Sequence, residues 1–272
     1  MSLNKPIWKL KDWIDESKLN WEWLSANPNA IELLEKNQDK IDWDWLSRNP
    51  NAIHLLEQNQ NKIDWNLLSK NQNAIHLLKR NQDKINWKYL YSNENAIELL
   101  EANQDKIDLS DLSSNPNAIE LLKANPEKIN WKYLSKNPNA IRILEKNQDK
   151  IDWDWLSANP NAIELLKRNQ NKINWSALSL NPNAIRILEE NPDKINWDYL
   201  SANPNAIDLL KENQNNINWY WFSLNPSIFE LDYEAMKINN QEIYEELIKE
   251  VMKPSRVFKF PDYDYIEELF GD

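Results

Sequence analysis

No cysteine occurs anywhere in this chain, which removes disulfides, thiolate metal ligation and a cysteine nucleophile, and fits a reducing compartment. Glycine is nearly absent as well: Gly271 stands alone, so turns that need unusual backbone angles must draw on asparagine, the next most tolerant residue. Long apolar runs are missing. The longest is the four residues Trp219 to Phe222, far short of the roughly 20 that span a bilayer. Met1 to Leu10 has no apolar stretch of the secretory kind, so the expectation is an intracellular protein without a signal peptide. A basic excess is lacking too. The net charge is −11, and Ser227 to Asp272 holds 12 acids against 5 bases, leaving the rest of the chain close to balance. A near-neutral to acidic chain argues against a phosphate-backbone partner.

What the chain does have is a period. Trp21, Trp43, Trp65, Trp87, Trp131, Trp153, Trp175, Trp197 and Trp219 lie on one series with a step of 22 residues, and Leu109 fills the only vacant slot. A fixed period of this size is the mark of a solenoid, in which each unit buries its apolar face against its neighbours.

Numbered from its Trp, the unit reads W-x-x-L-S-x-N-P-N-A-I-x-L-L-x-x-N-Q-D-K-I-D/N. Position 22 is Asp or Asn in every copy, from Asn20 to Asn218, and supplies an N-cap for a short helix A over positions 1 to 6. Asn at position 7 is present in all ten copies, and Pro follows it in eight. That pair predicts a second N-cap with proline in the first helical turn. Helix B is then expected over positions 8 to 17, its wide apolar arc formed by Ala30, Ile31, Leu33 and Leu34 in the first copy. Asn at position 17 (Asn37, Asn59, Asn81) is the expected left-handed C-cap. Columns that recur ten times, those of Trp21, Leu24, Asn27, Ala30, Ile31, Leu33, Leu34 and Ile41, are read as structural.

The expected fold is therefore all-α: an α-solenoid of about ten 22-residue two-helix repeats with N- and C-terminal caps, covering 1–20, 21–226 and 227–272. Ten stacked layers give an elongated array with a contour of about 80–100 Å. The rival is a leucine-rich-repeat-like coil, with Lys-Ile-Asp-Trp as its strand and the Asn column as its asparagine ladder. Its diagnostic L-x-x-L-x-L-x-x-N pattern is absent, and Asn-Pro-Asn-Ala-Ile-x-Leu-Leu reads as helical. Trp8, Trp13 and Ile14 are expected to cover the first unit. In the last segment Asn240 is the expected cap of a helix over 241–252, with Ile243, Leu247 and Val251 on one stripe, followed by an acidic-aromatic tail that includes Phe258 and Phe270. Gln72, Glu94, Tyr91, Leu109 and Asp111 depart from the consensus, so 65–130 should hold the weakest interfaces.

No convergent catalytic set is visible: there is no phosphate loop, nucleophile elbow or HExxH. His54 and His76 share a repeat position and read as solvated side chains rather than a metal pair. The expectation is a non-enzyme with no cofactor and no metal. Position 3 is the informative variable column. Its aromatic members Trp23, Trp45, Tyr89, Tyr133, Trp155, Tyr199 and Trp221 form a candidate protein-binding stripe, because Trp and Tyr dominate binding hot spots. Acids at position 2 (Glu22, Asp44, Asp154, Asp198) would rim it. Lys recurs at position 20, from Lys40 to Lys194, beside acids that partly neutralise the row.

The assembled signature resembles tandem W-x-x-L-S-x-N-P-N-A-I-x-L-L repeat proteins encoded by large DNA viruses of protists and algae. The segment Ile228 to Tyr233 and then Lys253-Pro254-Ser255-Arg256 is similar to the closing segment of those proteins. The resemblance implies a viral origin, location in host cytoplasm or virion, and interaction with host or virion proteins; it brings no catalytic residues. The functional expectation is a non-enzymatic protein-binding scaffold, with no nucleic-acid or membrane partner and the oligomeric state left open. The alternative is a structural virion or assembly spacer.

Overall fold

The structure is a computed structural model in which residues 6–251 are described. The chain divides into two compact units, Leu10–Phe229 and a smaller one formed by residues up to Lys9 together with those from Glu230 onward. The larger unit is the repeat array, an all-α solenoid as the period implies. Eighteen of the nineteen α-helices of the described residues lie in it.

Each repeat is built as its polar columns dictate. The position-22 side chain accepts the backbone N–H of position 3, as in Asp42 to Trp45 (3.0 Å) and Asp152 to Trp155 (3.0 Å). This opens a helix A of four to six residues. Asn at position 7 closes it and starts a 3₁₀ turn, its side-chain oxygen accepting from position 9, as in Asn159 to Asn161 (3.0 Å). The α-helical part of helix B begins only at position 11, as in Ile163–Lys167. Position 17 behaves differently from expectation. Asn37 has φ −130° and ψ 53°, outside the left-handed region, and its amide instead donates to the Leu33 carbonyl at 2.9 Å. Asparagine serves there by capping a loose helix-end carbonyl, so no glycine-like conformation is needed.

The core is three columns deep. Leu at position 4, Ala at position 10 and Leu at position 14 are completely buried along the array, from Leu24, Ala30 and Leu34 to Leu200, Ala206 and Leu210. The Trp column is only half-buried. Its rings lie under the position-20 lysines, as with Lys40 over Trp21 at 4.4 Å and Lys172 over Trp153 at 4.4 Å.

A buried asparagine ladder joins the layers. The amide of each position-7 Asn donates to two backbone carbonyls of the preceding repeat, at positions 5 and 7; for Asn49 these are Ser25 (3.0 Å) and Asn27 (2.8 Å). All ten copies make this pair of bonds. With both amide hydrogens and the oxygen engaged, the burial of a polar side chain in every layer is compensated. The ladder that a leucine-rich coil would show is thus present, carried by helices.

The ladder has no end. Asn27, in the first repeat, donates to Ser223 (2.9 Å) and Asn225 (3.0 Å) of the tenth. Asn29 likewise reaches the Pro226 carbonyl (3.0 Å), and the Asn20 N–H reaches the Ser223 hydroxyl (2.8 Å). The array closes into a ring, and the elongated form expected from stacking is corrected. A contour of about 80–100 Å bent into a circle leaves helix axes only about 13–16 Å from the centre.

Closure also explains the N-terminal segment. The tenth repeat stops after Phe229, and residues 16–20 supply what it lacks. Glu16–Lys18 forms the 3₁₀ turn of positions 18–20, and Lys18 lies over Trp219 at 5.0 Å, as Lys40 lies over Trp21 in the first repeat. Trp13 packs on Phe222 with ring centres 5.9 Å apart, and Ile14 and Leu19 are buried. Trp13 therefore packs on the last repeat, where it was expected to cover the first. Strands β1 (Trp8–Leu10) and β2 (Phe229–Leu231) pair with each other in a two-stranded sheet.

In the smaller unit the helix runs over Tyr233–Val251, capped by Asp232, whose carboxylate accepts from the Ala235 N–H at 3.0 Å. It begins earlier than the expected start after Asn240, because Asp232 offers a cap directly after β2. The side chains of Ile243, Leu247 and Val251, and the segment 252–272 with its aromatic tail, lie outside the described residues.

Candidate functional site

The inner wall of the ring is the part of the molecule with unusual chemistry. A cavity of about 550 Å³ is lined by positions 6 and 8 of repeats 1 to 7 and 10. Only the centre of a closed ring touches eight repeats at once, so position 6, the last residue of helix A, points toward the axis. Most copies carry a small or apolar residue there, such as Ala26, Ser92, Ser114 and Ala158. Three carry a cation: Arg48, Lys70 and Lys136. Position 8 is mostly Pro, but Glu94 adds one carboxylate to the same wall.

These cations are held above neighbouring aromatic rings. Lys70 lies over Tyr89 at 4.2 Å and Lys136 over Trp155 at 5.3 Å. In both pairs a position-6 ammonium meets the position-3 ring of the following repeat, a contact worth about 0.5–1 kcal/mol where water reaches it. Among the described residues none of the three makes an ion pair. Enclosure by the ring lowers the pKa of Arg48, and enclosure followed by the charge of Arg48 lowers those of Lys70 and Lys136. Arg48 and Lys136 are four repeats apart, so their coupling reflects proximity across the cavity and not along the chain.

The position-3 stripe lies next to this wall in mixed environments. Trp23 is buried, Trp45, Tyr89, Tyr133, Trp155 and Trp221 are half-buried, and Tyr199 is exposed. Trp23 touches Trp45 (4.4 Å), Trp221 (5.3 Å) and Tyr220 (5.4 Å), and Trp221 touches Tyr199 (6.4 Å). The seam thus carries a continuous aromatic cluster from Tyr199 to Trp45. A separate pair joins Tyr133 and Trp155 at 6.1 Å, and Tyr89 sits apart beneath Lys70. Leu67, Asp111 and Ala177 interrupt the collar. Of the rim acids, Glu22 accepts from the Trp45 indole N–H at 2.8 Å, while Asp154 and Asp198 accept from the next repeat's capping Asn, at 2.8 and 2.7 Å.

Sequence reading missed the position-6 cations. Their column varies between a position that is Ser in nine of ten copies and the Asn column, and three long cations among small and apolar residues was the available signal. Nothing in a linear repeat says that copies 2, 3 and 6 face one another. The outer histidines stay separate: His54 pairs with Glu35 (2.8 Å) and His76 with Glu57 (3.0 Å).

A family model described as NosD, periplasmic copper-binding protein, matches residues 15–207. The match is weak, and it runs along the tandem array, where one fixed period aligns readily with another. Copper does not fit the residues present. The chain has no cysteine, two histidines in separate carboxylate pairs, and no group of three candidate ligands among the described residues. No curated protein and no solved structure matches.

Proposed function

We propose that the protein is a non-enzymatic binding scaffold that recognises a protein partner at the aromatic seam of its ring. The observation that carries this reading is the cluster from Tyr199 through Trp221 and Trp23 to Trp45. Its edge is open to solvent at Tyr199 and Tyr220, 37% and 44% exposed. Large rigid aromatics on a fixed backbone lose little entropy on binding and are frequent hot spots. Glu22, Asp44 and Asp198 at position 2 favour a partner segment that pairs apolar and basic side chains. A viral origin, which the repeat signature's resemblance implies, would make host factors or virion proteins the partner class. A spacer role is less supported, because a closed ring does not use the length of its array.

Tyr199→Ala combined with Tyr220→Ala leaves the buried core columns untouched. Purification of tagged wild-type and double-variant protein from the same cells should show one or more proteins retained by the wild type alone. Retention of an identical set by the double variant would remove the seam as the recognition surface.

A further inference from the structure

We propose that the central cavity of the ring binds a small phosphorylated anion between Arg48, Lys70 and Lys136. This site is separate from the aromatic seam and goes beyond the partner-binding reading.

Charge placement is the first argument. The chain is acidic overall, with net charge −11, yet the cavity collects three cations against the single carboxylate of Glu94. Lysine at position 20 is a useful contrast. It recurs in most copies around the ring, where it lies over the Trp of its own repeat, as with Lys40, Lys62 and Lys84. The position-6 cations occur in only three copies and make no bond that the ring needs, since other copies close equally well with Ala or Ser. A surplus gathered around one enclosed space has the distribution of a binding site.

Energetics is the second. Like charges brought together in an enclosed space disfavour one another: enclosure shifts all three groups toward their neutral forms, and the charge of Arg48 adds to this at Lys70 and Lys136. The three cations therefore carry an electrostatic cost that an anion on the axis would relieve. Clustering of perturbed groups in a cavity is the usual mark of a functional site.

Shape is the third. About 550 Å³ lies within the range of small-ligand pockets. Tyr89 and Trp155 cover one side of the two ammonium groups and leave the others free to donate. Arg48 offers a planar fork that matches two oxygens of one phosphoryl group, while the lysines act as point charges. With Glu94 included the wall has a net charge of about +2, suited to a compact anion such as a diphosphate.

Inorganic pyrophosphate, titrated calorimetrically into the full chain at low ionic strength, is the test, with citrate as a polycarboxylate of similar charge. The expected result is one pyrophosphate per ring, a rise in melting temperature, and citrate at least about tenfold weaker. Arg48→Gln alone and Lys70→Met/Lys136→Met together should each weaken binding, by about tenfold per cation removed. Lys40→Met/Lys150→Met, in the outer lysine row, should bind as the wild type does. Absence of binding at millimolar pyrophosphate, equal affinity for citrate, or undiminished binding by both cavity variants would overturn the proposal. Loss of binding in the outer-row variant would also overturn it, by moving the ion to the position-20 lysines.

Discussion

Two junctions of the ring differ in an unexpected direction. Between repeats 10 and 1 the chain is broken, and between repeats 4 and 5 it is continuous. Yet the broken junction is the better made. At the seam Asn27 completes its ladder rung, the Ser223 hydroxyl accepts the Asn20 N–H, and Lys18 covers Trp219. At the continuous junction Tyr91 replaces the serine, so no hydroxyl accepts the Asp108 N–H. Leu109 removes the ring that a lysine would cover, and helix A of repeat 5 shrinks to a 3₁₀ turn, Asp111–Ser114. The cap fails as well: Asp108 accepts from Ser110, two residues on, where other copies reach position 3. The asparagine bonds survive there, with Asn115 bonded to Tyr91 (2.8 Å) and Asn93 (3.2 Å) and Asn117 to the Glu94 carbonyl (2.9 Å). Covalent continuity relaxes the demand on side chains at an interior junction, whereas a seam must be held by contacts alone.

The largest effect should follow from removing residues 2–20. Ile14 and Leu19 are buried, and losing buried aliphatic side chains costs about 2–5 kcal/mol each. The truncated chain should be destabilised by more than about 4 kcal/mol and should open, so small-angle scattering should report a larger radius of gyration. An unchanged scattering profile would mean that the seam does not hold the ring.

Next in size are single ladder substitutions. Asn27→Ala at the seam and Asn159→Ala in a regular layer each leave the position-5 carbonyl without its donor, leave the position-7 carbonyl with its backbone donor alone, and remove an N-cap. At about 1–3 kcal/mol for each buried unsatisfied group, both should cost about 2–5 kcal/mol in chemical denaturation. Near-neutrality of Asn27→Ala beside a costly Asn159→Ala would show the seam to be open in solution.

The defect can be repaired. Tyr91→Ser, Leu109→Trp and Asp111→Tyr together restore the hydroxyl acceptor, the covered Trp and the position-3 aromatic. Relieving Asp111 matters because burial, and then the charge of Asp108, raises its pKa. The triple variant should gain about 1–2 kcal/mol, the range of one recovered hydrogen bond with local packing. Amide exchange at 108–115 should slow toward the rate of neighbouring layers. Unaltered exchange would place the weakness elsewhere in the ring.

The smallest effect is a pH slope. Lys70 and Lys136 have lowered pKa values in the folded ring. Between those values and the unfolded value of 10.5, the unfolded chain binds more protons, so stability should rise with pH across that window. Lys70→Met/Lys136→Met should lose this gain. Taking the difference between wild type and variant cancels Tyr91, whose raised pKa acts in the opposite direction. Parallel stability curves for the two proteins would mean that the cavity lysines sit in ordinary solvent.

Much of this protein was written in its repeat. The 22-residue period, the Asx cap at position 22, the second cap at position 7 and the Leu24, Ala30 and Leu34 columns follow from local chemistry, because each concerns residues within one or two turns. The helical reading of Asn-Pro-Asn-Ala-Ile held for the same reason. The glycine-like role given to Asn37 did not, since a side-chain bond to Leu33 satisfied the helix end more cheaply than a left-handed residue. The mixed exposure of position 3 was not legible either: whether Trp23 or Tyr199 is covered depends on the aromatic residues of adjoining repeats, and for Trp23 these lie across the seam.

Closure belongs to the tertiary structure alone. Each layer turns slightly against the last, and the sum over ten layers decides between a rod and a ring. No single repeat encodes that sum, because a small error per layer multiplies along the array. Ring closure in turn sent Trp13 to the tenth repeat and brought Arg48, Lys70 and Lys136, which the sequence separates by 22 and 66 residues, around one cavity. Sequence determined what each layer is made of; the accumulated angle between layers determined which side chains meet.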